Sequence, residues 1–403
     1  MAVNLPTTKN LIGIPGIEIG VAAAGIKYKD RPDVAVFVLT DGAVAGGVFT
    51  HNSYRAAPVE VAADRLKNGN VRGLVINSGN ANAATGERGL GDTKATCREL
   101  AELIGCDEND ILPFSTGVIG EFLPIESFKN GIRSAYLERM QEGWNDAAQA
   151  ILTTDTKSKG VSRSFRLDDS IIKATGIVKG SGMIHPNMAT MLCFVATDAA
   201  VEQDFLRAIL PDIADSTLNM LDIDGDTSTN DSLVVLANGS AGNTPLDAAS
   251  EDATAFKEAL TEVLVQLTRQ LAQDGEGASK LIVAEVQGAK DVPDARLVAK
   301  TITSSLLVKS AVYGSDPNWG RLIMALGRSG AEMAESKIDL YINGVCIMEA
   351  GKPVPFHRDA VVALMRGDEV TFGVNLNLAD GKATSWGCDL TEEYVVINSA
   401  YTT

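Results

Sequence analysis

The chain has 403 residues, 45% hydrophobic and 22% charged, with 35 Lys and Arg against 52 Asp and Glu for a formal net charge of −17. That apolar content can bury a large core, so long disordered stretches are not the expectation, while so acidic a surface argues against nucleic-acid and anionic-membrane partners. The charge is spread along the chain as a solubilising surface, and the length permits two or three ordinary domains or one large body with a second module.

In chain order, strands are predicted at 33–39 (DVAVFVL) and 71–77 (VRGLVIN), each followed by Gly, Asn or Ser punctuation. Helices follow at 92–105 and 134–152, then strands at 171–178 (IIKATGIV) and 191–198 (MLCFVATD). Beyond residue 200 come a helix (201–213), a strand (232–237), a small-residue loop (238–250), a long helix (251–272) and a strand (280–288). A helical region at 294–326 is broken by the polar turn SDPNWGR (315–321), and strands at 337–349, 369–377, 383–389 and 393–398 close the chain. Regular βα alternation is absent, which favours α+β layers over a doubly wound sheet. Two loops are unusually polar and glycine-rich, NSGNANAATGERGLGD (77–92) and DGDTSTNDS (224–232), either of which could be a site or a set of turns.

Five cysteines, Cys97, Cys106, Cys193, Cys346 and Cys388, are scattered and include no CxxC pair. They suggest neither a disulfide framework nor a zinc site, and they fit a reducing compartment. The N-terminal segment lacks the pattern of a signal peptide, and no run approaches the ~18 to 20 apolar residues of a spanning helix. A cytoplasmic location is the expectation.

The densest chemistry lies in VKGSGMIHPNMATML (178–192), which sets a lysine, a histidine, a proline and a threonine between two apolar strands. A tight, glycine-rich bend can hold a Thr190 hydroxyl against the preceding Ala189 carbonyl, the geometry of an intramolecular acyl shift. Hydrolysis of the resulting ester would free an α-amine, a group that ordinarily titrates at about 7.7 to 8.0 and can act as base for its own hydroxyl. The same residues also suit a plain turn that starts a strand.

KGSGMIHPNMATML resembles the cleavage-site signature of the ornithine acetyltransferase (glutamate N-acetyltransferase) family of arginine biosynthesis. NSGNANAATG (77–86), STGVIG (115–120), TTDT (153–156), DGDTSTNDS (224–232), DGEGASK (274–280), SDPNWGR (315–321) and YVVINSAYTT (394–403) also resemble that family, in family order. The resemblance implies cleavage between Ala189 and Thr190 into an α chain (1–189) and a β chain (190–403). It implies Thr190 as the nucleophile and Thr116 with Gly117 as the oxyanion hole. Its substrate-binding positions are Thr153, Lys179, Thr190, Glu276, Asn398 and Thr403. Lys179 would offer a cation to a carboxylate, Glu276 would accept from an amino group, and the tail carrying Asn398 and Thr403 would close the pocket.

The fold so implied is an α+β, two-layer α/β sandwich of mixed sheets and helices, of the ornithine acetyltransferase (DmpA-like) type, assembled as α2β2. The implied reaction is ping-pong transfer of acetyl from N-acetylornithine to glutamate through an acetyl-Thr190 ester. No metal or cofactor is called for, and acetyl-CoA is a further donor in some members. DGDTSTNDS superficially resembles a calcium loop, but its glycine is misplaced and the twelfth-position Glu is missing. His185 could be a base or a turn-stabilising residue, and Asn318 and Trp319 could line the pocket or its rim. Two rivals remain at this point: a hydrolase of the same N-terminal-threonine design with water as acceptor, and a non-catalytic protein in which 178–192 is only a turn.

Overall fold

A computed structural model of the chain describes residues 2–68, 70–185 and 191–400. The strands of the first half are β1 (Ile17–Ala22), β2 (Val34–Leu39), β3 (Val44–Phe49), β4 (Gly73–Asn80), β5 (Ile111–Val118), β6 (Lys159–Leu167) and β7 (Ser170–Lys179). Those of the second are β8 (Leu192–Thr197), β9 (Leu221–Asp222), β10 (Ser232–Ala237), β11 (Leu281–Ala289), β12 (Asp339–Ile342), β13 (Val345–Glu349), β14 (Lys352–Pro353), β15 (Glu369–Asn375) and β16 (Gly381–Cys388). They form three sheets ordered β1-β2-β4-β5, β3-β10-β8-β7-β6 and β14-β13-β12-β15-β11-β16-β9.

Early helices are α1 (Ala57–Arg65), α2 (Gly86–Ile104), α3 (Ile125–Leu137) and α4 (Trp144–Ala150), followed by α5 (Gln203–Ser216) and α6 (Ala253–Gln273). Later ones are α7 (Val292–Thr303), α8 (Leu306–Tyr313), α9 (Trp319–Gly327), α10 (Arg358–Met365) and α11 (Glu392–Ala400).

The central strands read as continuous apolar runs because both of their faces are covered. In β2, Ala35, Phe37 and Leu39 face the second sheet, whereas Val34 and Val36 face α2 and α3. In β8 and β10, Leu192, Phe194, Ala196, Val234 and Leu236 face back toward the first sheet, and Cys193, Val195, Leu233 and Val235 face α5 and α6. This period-two division stacks helix, sheet, sheet and helix. Between the sheets, Phe37 meets Trp144 edge-on at 5.4 Å and Phe114 meets Phe194 at 4.9 Å between ring centres. On the outer side, α6 buries Phe256, Leu260, Leu264, Leu267 and Leu271, a stripe at helical spacing. The third sheet carries this core onward against α7. The expected mixed α/β sandwich is what the chain forms.

Several local expectations need correction. The single helix read at 134–152 is two helices, because Met140 pairs with Ile19 of β1 through both backbone bonds, at 2.9 Å each. The strand read at 337–349 is a hairpin turning at Asn343 and Gly344, whose φ values of 45° and 78° suit a type I′ turn. The strand read at 393–398 is helix α11, on which Val395 and Val396 are exposed. A β-branched run becomes a strand only where a sheet edge accepts it, and none is paired with it here.

Candidate active site

The site sits at one end of the sandwich, where the first two sheets and the segment before β10 converge on a cleft. Ala81, Thr116, Gly117 and Ile119 line it from the first sheet, Lys179, Gly180, Met191 and Leu192 from the second, and Thr153, Gly182 and Ser228–Asp231 complete it. Strands β7 and β8 run antiparallel with Lys179 opposite Leu192, so both ends of the segment joining them are fixed at the cleft.

Backbone geometry makes Gly117 irreplaceable. Its φ is 135°, and a Cβ there would collide with the Gly79 carbonyl group across the β4–β5 pair. The ladder shifts register beside it at Asn80, a bulge of the kind that re-aims groups near active sites. Side-chain amides satisfy the main-chain groups that the broken ladder leaves over. Asn77 Nδ2 donates to Asn80 O at 2.8 Å, and buried Asn230 donates to Ala81 O at 2.6 Å and Ser115 O at 2.9 Å. The asparagines of NSGNANAATG are therefore braces, and Asn230 of DGDTSTNDS reaches across to the same place.

Lys179 Nζ donates to Thr153 Oγ1 at 2.8 Å and to Thr116 Oγ1 at 3.2 Å. A hydroxyl that accepts from an ammonium keeps its own O–H to donate, so Thr116 and the Gly117 backbone can present donors to one oxygen. Behind Lys179 lies a fully buried charge cluster. Lys159 Nζ is 2.6 Å from both Asp155 Oδ1 and Asp274 Oδ2, and none of the three side chains is exposed. Burial would push the Asp155 carboxyl up, but Lys159 and then Lys179 overcome it and hold the group well below the usual carboxylate range. Burial lowers Lys179, against the pull of Asp155. Asp231 behaves oppositely to Asp155: burial leaves it well above the ordinary carboxylate range despite hydrogen bonds from Ser228 and the charge of Lys179.

The other sequence-derived positions fall close by. Glu276 is buried, its N–H donates to Ser181 O at 2.7 Å, and a side chain at Gly182 would strike its carboxylate. Asn398, on exposed α11, donates through Nδ2 to Glu276 Oε2 at 2.8 Å. Thr116, Gly117, Thr153 and Lys179 thus share the cleft, Glu276 backs onto one of its lining residues, and Asn398 caps Glu276. Ala189, Thr190 and Thr403 lie outside the described residues.

His185 Nδ1 is 2.7 Å from buried Asp222 Oδ1, and its carbonyl accepts from Thr227 Oγ1 at 2.7 Å, so it serves as a turn-stabilising residue. Asn318 and Trp319 do not line the cleft; Asn318 borders a separate indentation with Val308, Leu322 and Phe372. Sequence reasoning misses Asp155, Lys159, Asn230 and Asp231. Asp155, Asn230 and Asp231 stand inside the motifs TTDT and DGDTSTNDS, and the density of polar residues there is the available signal.

A mixed α/β sandwich with a polar cleft that gathers a lysine, two threonines and a left-handed glycine is the framework of an enzyme acting on small molecules. The chain belongs to the ArgJ family, whose family pattern matches residues 18–403. It is 43% identical over 406 residues to the arginine biosynthesis bifunctional protein ArgJ of Pseudomonas fluorescens, with 100% of each chain covered. It is 45% identical over 373 residues, 93% of each chain, to the protein of that name from Symbiobacterium thermophilum. It is also similar to the solved arginine biosynthesis bifunctional protein argJ of Bacillus halodurans, with 43% identity and a TM-score of 0.51 over 52% of this chain and 98% of that one.

Proposed function

We propose that this protein cuts itself between Ala189 and Thr190 and then moves acetyl groups from N-acetylornithine to glutamate through an ester on Thr190. The observation that carries the reading is the meeting of Lys179, Thr116, Gly117 and Thr153 in one cleft to which Met191, the residue after Thr190, also contributes. The Bacillus halodurans chain, matched almost entirely by about half of this one, has the size expected of one product of such a cut.

In self-cleavage, Thr190 Oγ attacks the Ala189 carbonyl, the C–N bond breaks, and water hydrolyses the ester to leave a carboxylate on Ala189 and an amine on Thr190. In the first half-reaction, Thr190 Oγ attacks the acetyl carbon of N-acetylornithine. Its proton passes through the α-amine to the departing nitrogen, and ornithine leaves. In the second, the unprotonated amine of glutamate attacks the ester, and the proton it sheds returns to Thr190 Oγ. Thr116 O–H and Gly117 N–H stabilise the oxyanion of each tetrahedral intermediate. Lys179 faces the substrate carboxylate, Thr153 orients that lysine, and Glu276 with Asn398 receives the amino end, joined by Thr403. Acetyl-CoA serves as an additional donor, no cofactor is needed, and the processed chains assemble as α2β2 in the cytoplasm.

Intact-mass spectrometry beside a Thr190→Ala control, followed by an acetyl-transfer assay with and without glutamate, tests the reading. Two fragments, one starting at Thr190, together with glutamate-dependent release of ornithine are expected. A stable full-length chain removes the mechanism, and ornithine release indifferent to glutamate makes the protein a hydrolase.

A further inference from the structure

We propose that Asp155 is a positioning residue that keeps the Lys179 ammonium charged and aimed into the cleft, acting through a carboxylate sealed behind it. Asp155 takes this role on the reading of Lys179, given above, as the contact for a substrate carboxylate.

The Asp155 carboxylate cannot turn away. Oδ1 accepts from Lys159 Nζ and from the Gly180 N–H, both at 2.6 Å, and Oδ2 accepts from the Thr153 N–H at 3.1 Å. Those bonds also fix the backbone on both sides of the subsite, at Thr153 and at the residue after Lys179. Asp155 Oδ2 stands 4.0 Å from Lys179 Nζ. That is beyond hydrogen-bonding reach but within strong attraction, so Asp155 supplies charge without occupying one of the lysine's donors. The donors go instead to the hydroxyls of Thr153 and Thr116.

Among the described residues, the charged side chains that bear most on Lys179 are Asp155 from the loop after α4, Lys159 from β6, Asp231 from the segment before β10, and Glu276 from the loop before β11. Asp155 is the foremost of the three carboxylates. Burial raises the Asp231 carboxyl well above its ordinary range and its pull on Lys179 ranks behind that of Asp155, while Lys159 opposes the Lys179 cation. Lys159 is itself balanced by Asp274 on its other side. The cluster of two lysines and two aspartates therefore carries no surplus charge, and losing Asp155 removes the foremost charge that opposes the burial of Lys179.

The test compares the pH dependence of kcat/KM for acetyl transfer to glutamate in the processed enzyme and in Asp155→Asn, Asp155→Glu and Asp274→Asn. The difference between profiles cancels the limb set by the acceptor amine. Asp155→Asn is expected to move the alkaline limb down by about one to three pH units, the range for losing an opposite charge at this distance. At the wild-type optimum its KM should rise more than its kcat falls, with recovery on acidification. Asp155→Glu, which keeps the charge, should keep the limb, and Asp274→Asn, which removes a carboxylate on the far side of Lys159, should move it less than Asp155→Asn does. An unmoved limb in Asp155→Asn overturns the proposal, as does a limb shifted in Asp155→Glu or one shifted as far in Asp274→Asn as in Asp155→Asn. Should Asp155→Asn fail to fold, Asp155→Ser, which also removes the charge, takes its place under the same criterion. Competitive labelling of lysines with acetic anhydride, read by mass spectrometry, gives the Lys179 midpoint without turnover. A proposal about Lys179 that fails is thereby separated from a transferase reading that fails.

Discussion

Thr116 offers the most direct single-residue test, because its hydroxyl accepts from Lys179 and has one proton left to give. Thr116→Val should lower kcat by about 10²–10³ with little change in KM, as removal of one oxyanion donor typically does. Thr116→Ser should restore most of the loss; steady-state kinetics of both variants would show it, and an undiminished kcat in Thr116→Val would exclude the hydroxyl from the oxyanion hole. Gly117 and Lys179 can be named from the sequence only because whole motifs match a family pattern. The left-handed φ of Gly117 answers to Gly79 on the neighbouring strand, and the contact between Lys179 and Thr153 joins residues 26 positions apart. Asp155 is in view within TTDT, but its burial and its pairing with Lys159 are tertiary facts that no local pattern announces.

Elements are legible in proportion to how their burial is patterned. Strands β2, β8 and β10 are β-branched and apolar on both faces, and the sequence locates them almost to the residue. By contrast, β3 (VAGGVF) is interrupted by glycines and β5 (ILPFSTGV) contains Pro113, tolerated because β5 lies at an edge of its sheet. Helix α11 has the composition of a strand, and its contacts are few. Tyr394 donates to Asp224 at 3.3 Å, Tyr313 donates to Glu392 at 2.6 Å, Asn398 donates to Glu276, and no side chain of the helix is buried. Deleting residues 392–403 should therefore shift Tm by less than about 3 °C, since little apolar surface is lost. It should raise KM for both substrates about tenfold or more, the worth of a hydrogen bond to a buried charged group. A large fall in Tm measured by calorimetry, or an unchanged KM, would show that the tail is a structural prop and not a wall of the pocket.

Across the whole molecule, burial governs chemistry that the bare sequence leaves open. Burial pushes the Cys97 thiol up to about 11, that of Cys388 up to about 12, and that of Cys193 further upward, whereas Cys106 and Cys346 are only half-buried. A thiol reagent at pH 8 should modify no more than two cysteines quickly in the native protein and all five after denaturation, because the thiolate is the reacting form. Rapid reaction of all five in the folded state would contradict the core described here. The scattered cysteines point to the absence of disulfides; which of them are sealed becomes visible only once the sheets are stacked.

The middle sheet, ordered β3-β10-β8-β7-β6, alternates between the two halves of the chain: β8 and β10 come from beyond residue 190 and lie between β3 and β7, which come from before it. A cut at Ala189–Thr190 would leave every hydrogen bond of that sheet in place while making its two seams intermolecular. Unfolding would then become a dissociation, obeying mass action. The melting temperature of the processed enzyme should fall more steeply on dilution than that of the uncut Thr190→Ala chain, which has fewer pieces to separate, so one backbone bond would turn a property of the molecule into a property of the solution.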